Sequence, residues 1–310
     1  MKEITLVTSF FDIGRGQDQN KELARSNERY FQEFTYWARI KNPLIVYTSK
    51  VAAERVREIR KGFGLEEKTT IVVIEQLFEI EKELLEKMEK IAKSESFLNF
   101  RFFQDAFSNN PRYDYLWMLK YYFMNDAYEK GFLTENVAWI DFGFDHGGRC
   151  YPDCNDFDFL WEYDFKDKIH LFCLYHPDKT SAIESLQFLD DCVMATMVCM
   201  WRERIPELWR LVRKAIEALI MIECIDDDQQ LLLMSYKARP EIFEVHVSDW
   251  GMQMKECGAS HMKIRETNTG KAEESMVRKV KNLIRKVFPN KKEAKYIYAK
   301  RVYNMAKKFW

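Results

Sequence analysis

The segment Trp139-Ile140-Asp141-Phe142-Gly143-Phe144-Asp145 joins an apolar run to two carboxylates. A strand that ends in Asp delivers a carboxylate to the edge of a sheet, where a ligand reaches it. Gly143 lets a ligand or the following turn approach the backbone closely. Asp141 and Asp145 offer the oxygen donors that a hard cation such as Mg2+ or Mn2+ prefers, and a diphosphate is a ligand such an ion would share. A second acidic segment, Asp226-Asp227-Asp228-Gln229-Gln230, sets three carboxylates side by side. One Asp is enough to cap a helix and complement its dipole. Three of them point to a carboxylate held as a general base or as an anchor for an acceptor.

Basic and nitrogen-bearing residues accompany these acids. Arg15 follows the first apolar run in Phe10-Phe11-Asp12-Ile13-Gly14-Arg15-Gly16, and its planar fork suits a phosphate as well as it suits a solvated surface. Lys120 stands among Trp117, Leu119, Tyr121 and Tyr122, where it either reaches a phosphate or runs its stem along the aromatic surface. His246 is a candidate to complete a metal site, beside the plainer reading as a satisfied structural histidine. Cys150 and Cys154 have His146 nearby but no further pair at zinc-ligand spacing. The seven cysteines are an odd number for a disulfide framework, and several lie in apolar runs. They read as buried free thiols of a reducing cytosol. The chain holds no GxSxG, no GxxxxGK[ST] and no GxGxxG, which argues against serine-hydrolase, P-loop and dinucleotide chemistry.

The elements that position these groups are legible from pattern. Short β-branched or apolar runs predict strands at 3–10, 44–49, 69–75, 136–143, 168–175 and 242–247. Helical spacing predicts helices at 21–40, 51–61, 77–94, 113–128, 206–223 and 226–240. Strands alternating with helices give an α/β domain with a mostly parallel sheet, in which ligands sit beyond the carboxyl ends of the strands. Asp12 to Arg15 and Asp141 to Gly143 both fall at such ends.

The chain has 310 residues with 48 Lys+Arg and 49 Asp+Glu, so its net charge is −1. The balance hides a split. Residues 271–310 hold 13 Lys/Arg against 3 Asp/Glu, while residues 1–270 hold 35 against 46. The segment 276–288 sets Met276, Val280, Leu283, Ile284 and Val287 on one helical face, with Arg278, Lys279, Lys281, Arg285 and Lys286 elsewhere. Basic amphipathic helices with terminal aromatics suit an anionic membrane surface, or else pack back on the acidic body. No nucleic-acid-binding motif accompanies the charge. Two parts are expected: a catalytic-looking domain at 1–268 and a basic helical tail at 269–310. The N-terminal residues read as a first strand rather than a secretory signal, and no apolar run is long enough to span a bilayer.

Six blocks in order carry a resemblance: FFDIGRG (10–16), NPLIVYTS (42–49), LKYYFMNDAYEKGF (119–132), VAWIDFGF (137–144), KIHLFCL (168–174) and IDDDQQLLLMSYKARPEIFEV (225–245). Over about residues 3–250 the chain resembles the HtrL/YibB family of bacterial proteins, associated with lipopolysaccharide and other surface-glycan clusters. The resemblance implies a GT-A-like fold of the nucleotide-diphospho-sugar transferases. It also implies a hexosyltransferase that takes a UDP-linked donor, with Mn2+ or Mg2+ as cofactor; the basic tail, outside the resemblance, would set it at the cytoplasmic face of the inner membrane. By the same resemblance Arg15, Asp12 and Lys120 would lie near the donor diphosphate. Asp141 and Gly143 would stand where GT-A enzymes carry a DxD metal motif; Asp145 and His246 are metal candidates from their residue types alone, and His246 matches no block of the resemblance. Asp227, Asp228 and Gln229 would form the acceptor-side acidic motif, with Asp228 or Asp227 as base. A strict DxD is absent, because Gly143 occupies its second acidic position. That departure keeps open a non-catalytic protein that binds sugar nucleotides or glycans on the same fold.

Overall fold

The computed structural model describes residues 2–17, 24–101 and 110–265. Among these, the strands are β1 (Ile4–Phe10), β2 (Leu44–Thr48), β3 (Thr69–Val73), β4 (Asn136–Ile140), β5 (Ile169–Cys173), β6 (Met197–Trp201) and β7 (Phe243–Val247). They form one sheet in the order β3-β2-β1-β4-β6-β5-β7. β6 runs antiparallel to β4 and β5, and every other pair is parallel. The helices are α1 (Asn27–Trp37), α2 (Lys50–Gly62), α3 (Lys82–Ile91), α4 (Glu95–Phe100), α5 (Pro111–Glu129), α6 (Ala182–Phe188), α7 (Ile205–Met221), α8 (Asp228–Ala238) and α9 (Gln253–Glu256). This is the α/β, mostly parallel sheet flanked by helices that the alternating pattern predicts.

β6 is the strand that pattern alone does not reveal. Met197 and Cys199 pack into the layer on one face of the sheet, Val198 and Met200 into the layer on the other. A strand covered on both sides has no polar alternation to announce it. Helix boundaries move for local reasons. α1 starts at Asn27, later than expected, because the Ser26 hydroxyl caps it by accepting from the Arg29 amide at 3.2 Å. The expected 77–94 helix is broken at Glu81, whose φ of 49° is left-handed, and resumes as α3. α5 starts with Asn110 as cap and Pro111 in the first turn, where a missing N–H costs nothing.

Two apolar layers sandwich the sheet. Val7, Val137 and Trp139 face α3, α5, α7 and α8. Leu6, Ala138 and Ile140 face the layer that contains Phe31, Phe34 and Trp37 of α1. The register pairs Val7 with Trp139 and Leu6 with Ala138, so the alternation of the two central strands is in phase. Asp141 has the same parity as Trp139 and therefore emerges on the α5 side. α5 is buried over most of its circumference, including Tyr115, Met118, Leu119, Tyr121 and Phe123. Such a helix belongs to the interior, so a charge on it must find its partners there.

The described residues up to Ile264 form one compact unit. The expected basic helices of the tail lie outside the described residues. Among the described residues, no helix is long and apolar enough to cross a membrane. All seven cysteines are free thiols; Cys150 and Cys154 are half-buried and the other five are buried.

Candidate active site at the carboxyl ends of β1 and β4

Lys120 is fully buried in α5. Its ammonium donates to the Ala195 carbonyl at 2.9 Å, lies 3.3 Å from Asp141 Oδ1 and forms a close ion pair with Asp228 Oδ2. The rings of Trp117 and Trp139 flank it, with centroids 4.5 and 5.6 Å from Nζ, which adds cation–π attraction. Burial works against the charge, yet Asp141 and Asp228 hold the ammonium above its ordinary range. One cation thus ties the end of β4 to the start of α8.

Each carboxylate is held from its own element. Trp139 Nε1 donates to Asp141 Oδ1 at 2.7 Å. Burial pushes Asp141 up to about 6, with Lys120 opposing and Asp228 adding to the rise. Burial raises Asp228 as well, against the pull of Lys120. Asp226 is paired at 2.9 Å with Arg101, both side chains almost completely enclosed, and Arg101 also donates to the Ile225 carbonyl at 2.5 Å. Asp227 caps α8 by accepting from the Gln229 amide at 3.0 Å. Burial, then Asp226 and Asp228, raise Asp227 well above the carboxylate range. Asp227 is half-buried, whereas Asp226 and Asp228 are buried, so it is the member of the run with access to the surface.

Tyr113, Trp117, Lys120 and Tyr121 recur at helical spacing on α5 and form the stripe that faces these acids. The Tyr121 hydroxyl is buried with no hydrogen-bond partner among the described residues, and the charges of Asp228, Asp141 and Asp227 all act on it. A buried orphan hydroxyl costs on the order of 1–3 kcal/mol, which a polar ligand atom would offset. At the end of β1, Arg15 Nη1 donates to the Tyr30 hydroxyl, and its guanidinium lies 5.1 Å from the Tyr113 ring centroid. Burial raises the Tyr113 phenol, Arg15 opposes that rise and Asp227 adds to it. Tyr113 therefore lies within the electrostatic reach of both Arg15 and Asp227, two residues far apart in sequence. Asp12 shapes the same loop, accepting from the Gly14 amide at 2.8 Å and from Asn27 Nδ2 at 2.7 Å.

Several expectations change. Lys120 is enclosed beneath the carboxylates, so it positions them and is not exposed to a diphosphate. Gly143 opens no path to a ligand: a Cβ there would lie 2.7 Å from Glu33 Oε2, so its role is to let α1 pack. Asp145 turns into its own loop, where Oδ1 accepts from the Cys150 amide at 2.5 Å and Oδ2 from the Tyr151 amide at 3.0 Å. His246 lies on β7, three strand steps from β4, or roughly 14 Å at the usual strand spacing. Asp141, Asp145 and His246 are therefore not gathered into one site, and the donor set does not fit a divalent cation at Asp141. Lys120 stands between Asp141 and Asp228 as their shared cation. Arg101, Tyr113, Tyr121 and Glu33 were not singled out by sequence. The stripe on α5 was the signal available for Tyr113 and Tyr121.

The family model described as a bacterial protein of unknown function (HtrL_YibB) matches residues 2–257. The chain is 32% identical over 263 residues to Protein HtrL of Escherichia coli (strain K12), covering 78% of this chain and 87% of that protein. The chain belongs to the HtrL/YibB family. Among solved structures it is similar to the apo form of mouse xyloside xylosyltransferase 1, with 10% identity, 78% of this chain and 84% of that chain covered, and a TM-score of 0.40.

Proposed function

We propose that the chain is a glycosyltransferase that moves a hexose from a nucleotide-diphosphate sugar, UDP-linked, to a lipopolysaccharide or other surface-glycan acceptor. The observation that carries this reading is the pair of strand-end and helix-start carboxylates, Asp141 and Asp228, fixed on one buried ammonium, with the half-buried Asp227 beside them. The sheet is of the mostly parallel kind that the sequence resemblance implies, and the acids lie where ligands of such sheets bind.

Asp227 is the acceptor-side base in this account. Its raised proton affinity suits removal of a hydroxyl proton as a glycosidic bond forms. In a retaining transfer the same carboxylate would orient the acceptor. Asp228 and Asp141, locked to Lys120, are positioning residues. Arg15 at the β1 loop would meet the donor diphosphate, where cationic groups stabilise a leaving phosphate. No step is assigned to a metal ion, because among the described residues Asp145 and His246 do not join Asp141 in a cation site.

The basic tail adds a proposal about place. Residues 271–310, with 13 Lys/Arg against 3 Asp/Glu, would hold the enzyme to anionic lipid at the cytoplasmic face of the inner membrane. The enzyme reading is tested by incubating the full chain with a panel of nucleotide sugars and following nucleotide release and thermal midpoint. Release with one donor supports transfer or donor hydrolysis. A midpoint shift without release supports a binding protein on the same fold. Neither effect with any donor overturns both.

A further inference from the structure

His170, His246 and Cys257 converge on the far side of the sheet from Asp141, with a ring nitrogen of each histidine and the Cys257 sulfur all within 4.8 Å of one another. They come from three fixed elements. His170 is on β5 and His246 on β7, and the register sets His170 against Glu244 and Phe172 against His246, so both histidines share one face of the parallel pair. Cys257 follows α9. Its carbonyl accepts from Trp161 Nε1 at 2.5 Å, and Gly258 beside it adopts φ +100° where a Cβ would meet the Glu162 carbonyl at 2.6 Å. The turn is therefore seated against the body and sets the sulfur in place.

The hydrogen bonds select the ligating atoms. His170 Nε2 donates to the Phe165 carbonyl at 3.1 Å, which leaves Nδ1 as its lone pair. That Nδ1 lies 2.8 Å from His246 Nε2. A metal-bound histidine commonly donates its other ring N–H to a backbone carbonyl in this way. The Cys257 thiol has no hydrogen-bond partner among the described residues, although it is fully buried. A Glu244 oxygen lies 4.0 Å from His246 Nε2.

We propose that His170 Nδ1, His246 Nε2 and Cys257 Sγ bind one divalent transition-metal ion of zinc-like chemistry, with the Glu244 carboxylate as fourth ligand. Two imidazoles and a thiolate are the donor set that such ions select over Mg2+ or Ca2+. Tetrahedral zinc bonds separate such donors by roughly 3.3–3.6 Å, so the side chains need to shift by about 1 Å. On binding, the Cys257 S–H bond breaks and its proton goes to solvent, the His246 Nε2 proton that faces His170 Nδ1 exchanges through solvent to His246 Nδ1, and metal–sulfur and metal–nitrogen bonds form with no change of oxidation state. The ion would tie β5, β7 and the α9 turn together. This proposal is independent of the glycosyltransferase reading.

The test loads the chelator-stripped full chain with Co2+ and with Zn2+. The expected result is one equivalent bound per chain, and a thiolate-to-cobalt charge-transfer band that is lost in Cys257→Ser and at least tenfold harder to saturate in His246→Ala. With Zn2+ at about 100 times its Kd, the wild-type midpoint should rise by roughly 5–10 °C. X-ray absorption of the zinc-loaded wild type serves where a variant fails to fold, and should show one sulfur and two imidazoles. A wild-type cobalt complex without the charge-transfer band, or a zinc shell of oxygen and nitrogen alone, would overturn the proposal.

Discussion

Lys120 and Asp228 form an ion pair enclosed in the protein interior, and Asp141 lies 3.3 Å from the same ammonium. Two carboxylates and one ammonium leave the trio with a net negative charge when all are ionised. Replacing Lys120 by Met would strand both acids. Breaking a buried pair by removing one partner costs about 3–5 kcal/mol. Lys120→Met should lose that much in urea denaturation, and adding Asp141→Asn and Asp228→Asn should recover part of it. A loss below about 1 kcal/mol would show that the cluster is more solvated than its geometry implies.

Asp141 gives the site a pH signature. Burial raises it to about 6 from an ordinary 3.8. Between those values the folded chain holds a proton that the unfolded chain has released. Folding takes up a proton there, so the stability that Asp141 permits increases as pH falls through 6 and is fully present below about 4. Keeping Asp141 ionised at neutral pH costs about 3 kcal/mol. The thermal midpoint of Asp141→Asn, relative to wild type, should therefore be higher at about pH 7.5 than at about pH 4.5. An offset that does not change with pH would contradict the assignment.

Gly143 and Glu33 should be coupled. Glu33 is buried and its Oε1 accepts from Arg29 Nε at 2.9 Å, so it has little freedom to retreat from a new methyl group. Gly143→Ala should cost about 1–3 kcal/mol through overpacking. In a double-mutant cycle with Glu33→Ala, the methyl should cost less by at least 0.5 kcal/mol. Strict additivity would place the cause elsewhere.

The tail is tested by sedimentation with anionic liposomes. The full chain should pellet at low salt and residues 1–268 should not, and added salt should release the full chain, because Lys/Arg attraction to anionic lipid is screened within a Debye length. Equal pelleting of the two would remove the membrane proposal.

The site was partly legible in the sequence because strand ends and helix starts are marked locally. The run ending at Asp141 and the acidic start of α8 announce where carboxylates emerge. What they meet is a matter of tertiary structure. Nothing local to Lys120 says that its ammonium points inward to Asp141 and Asp228, nor that Asp145 turns back onto the amides of Cys150 and Tyr151. β6 escaped because burial on both faces erases alternation. His170 drew no attention for a related reason: its partners His246 and Cys257 are 76 and 87 residues away along the chain and meet it only through sheet order.

Nucleotide release and sugar transfer by wild type and Asp227→Asn, measured with the full nucleotide-sugar panel and a glycan acceptor, address the central claim most directly. The account predicts turnover with at least one donor. It also predicts a fall in kcat of about 10²–10⁴-fold in Asp227→Asn, with the donor-induced thermal shift retained. A wild-type protein that binds donors without turnover, or an Asp227→Asn variant with full kcat, would contradict it.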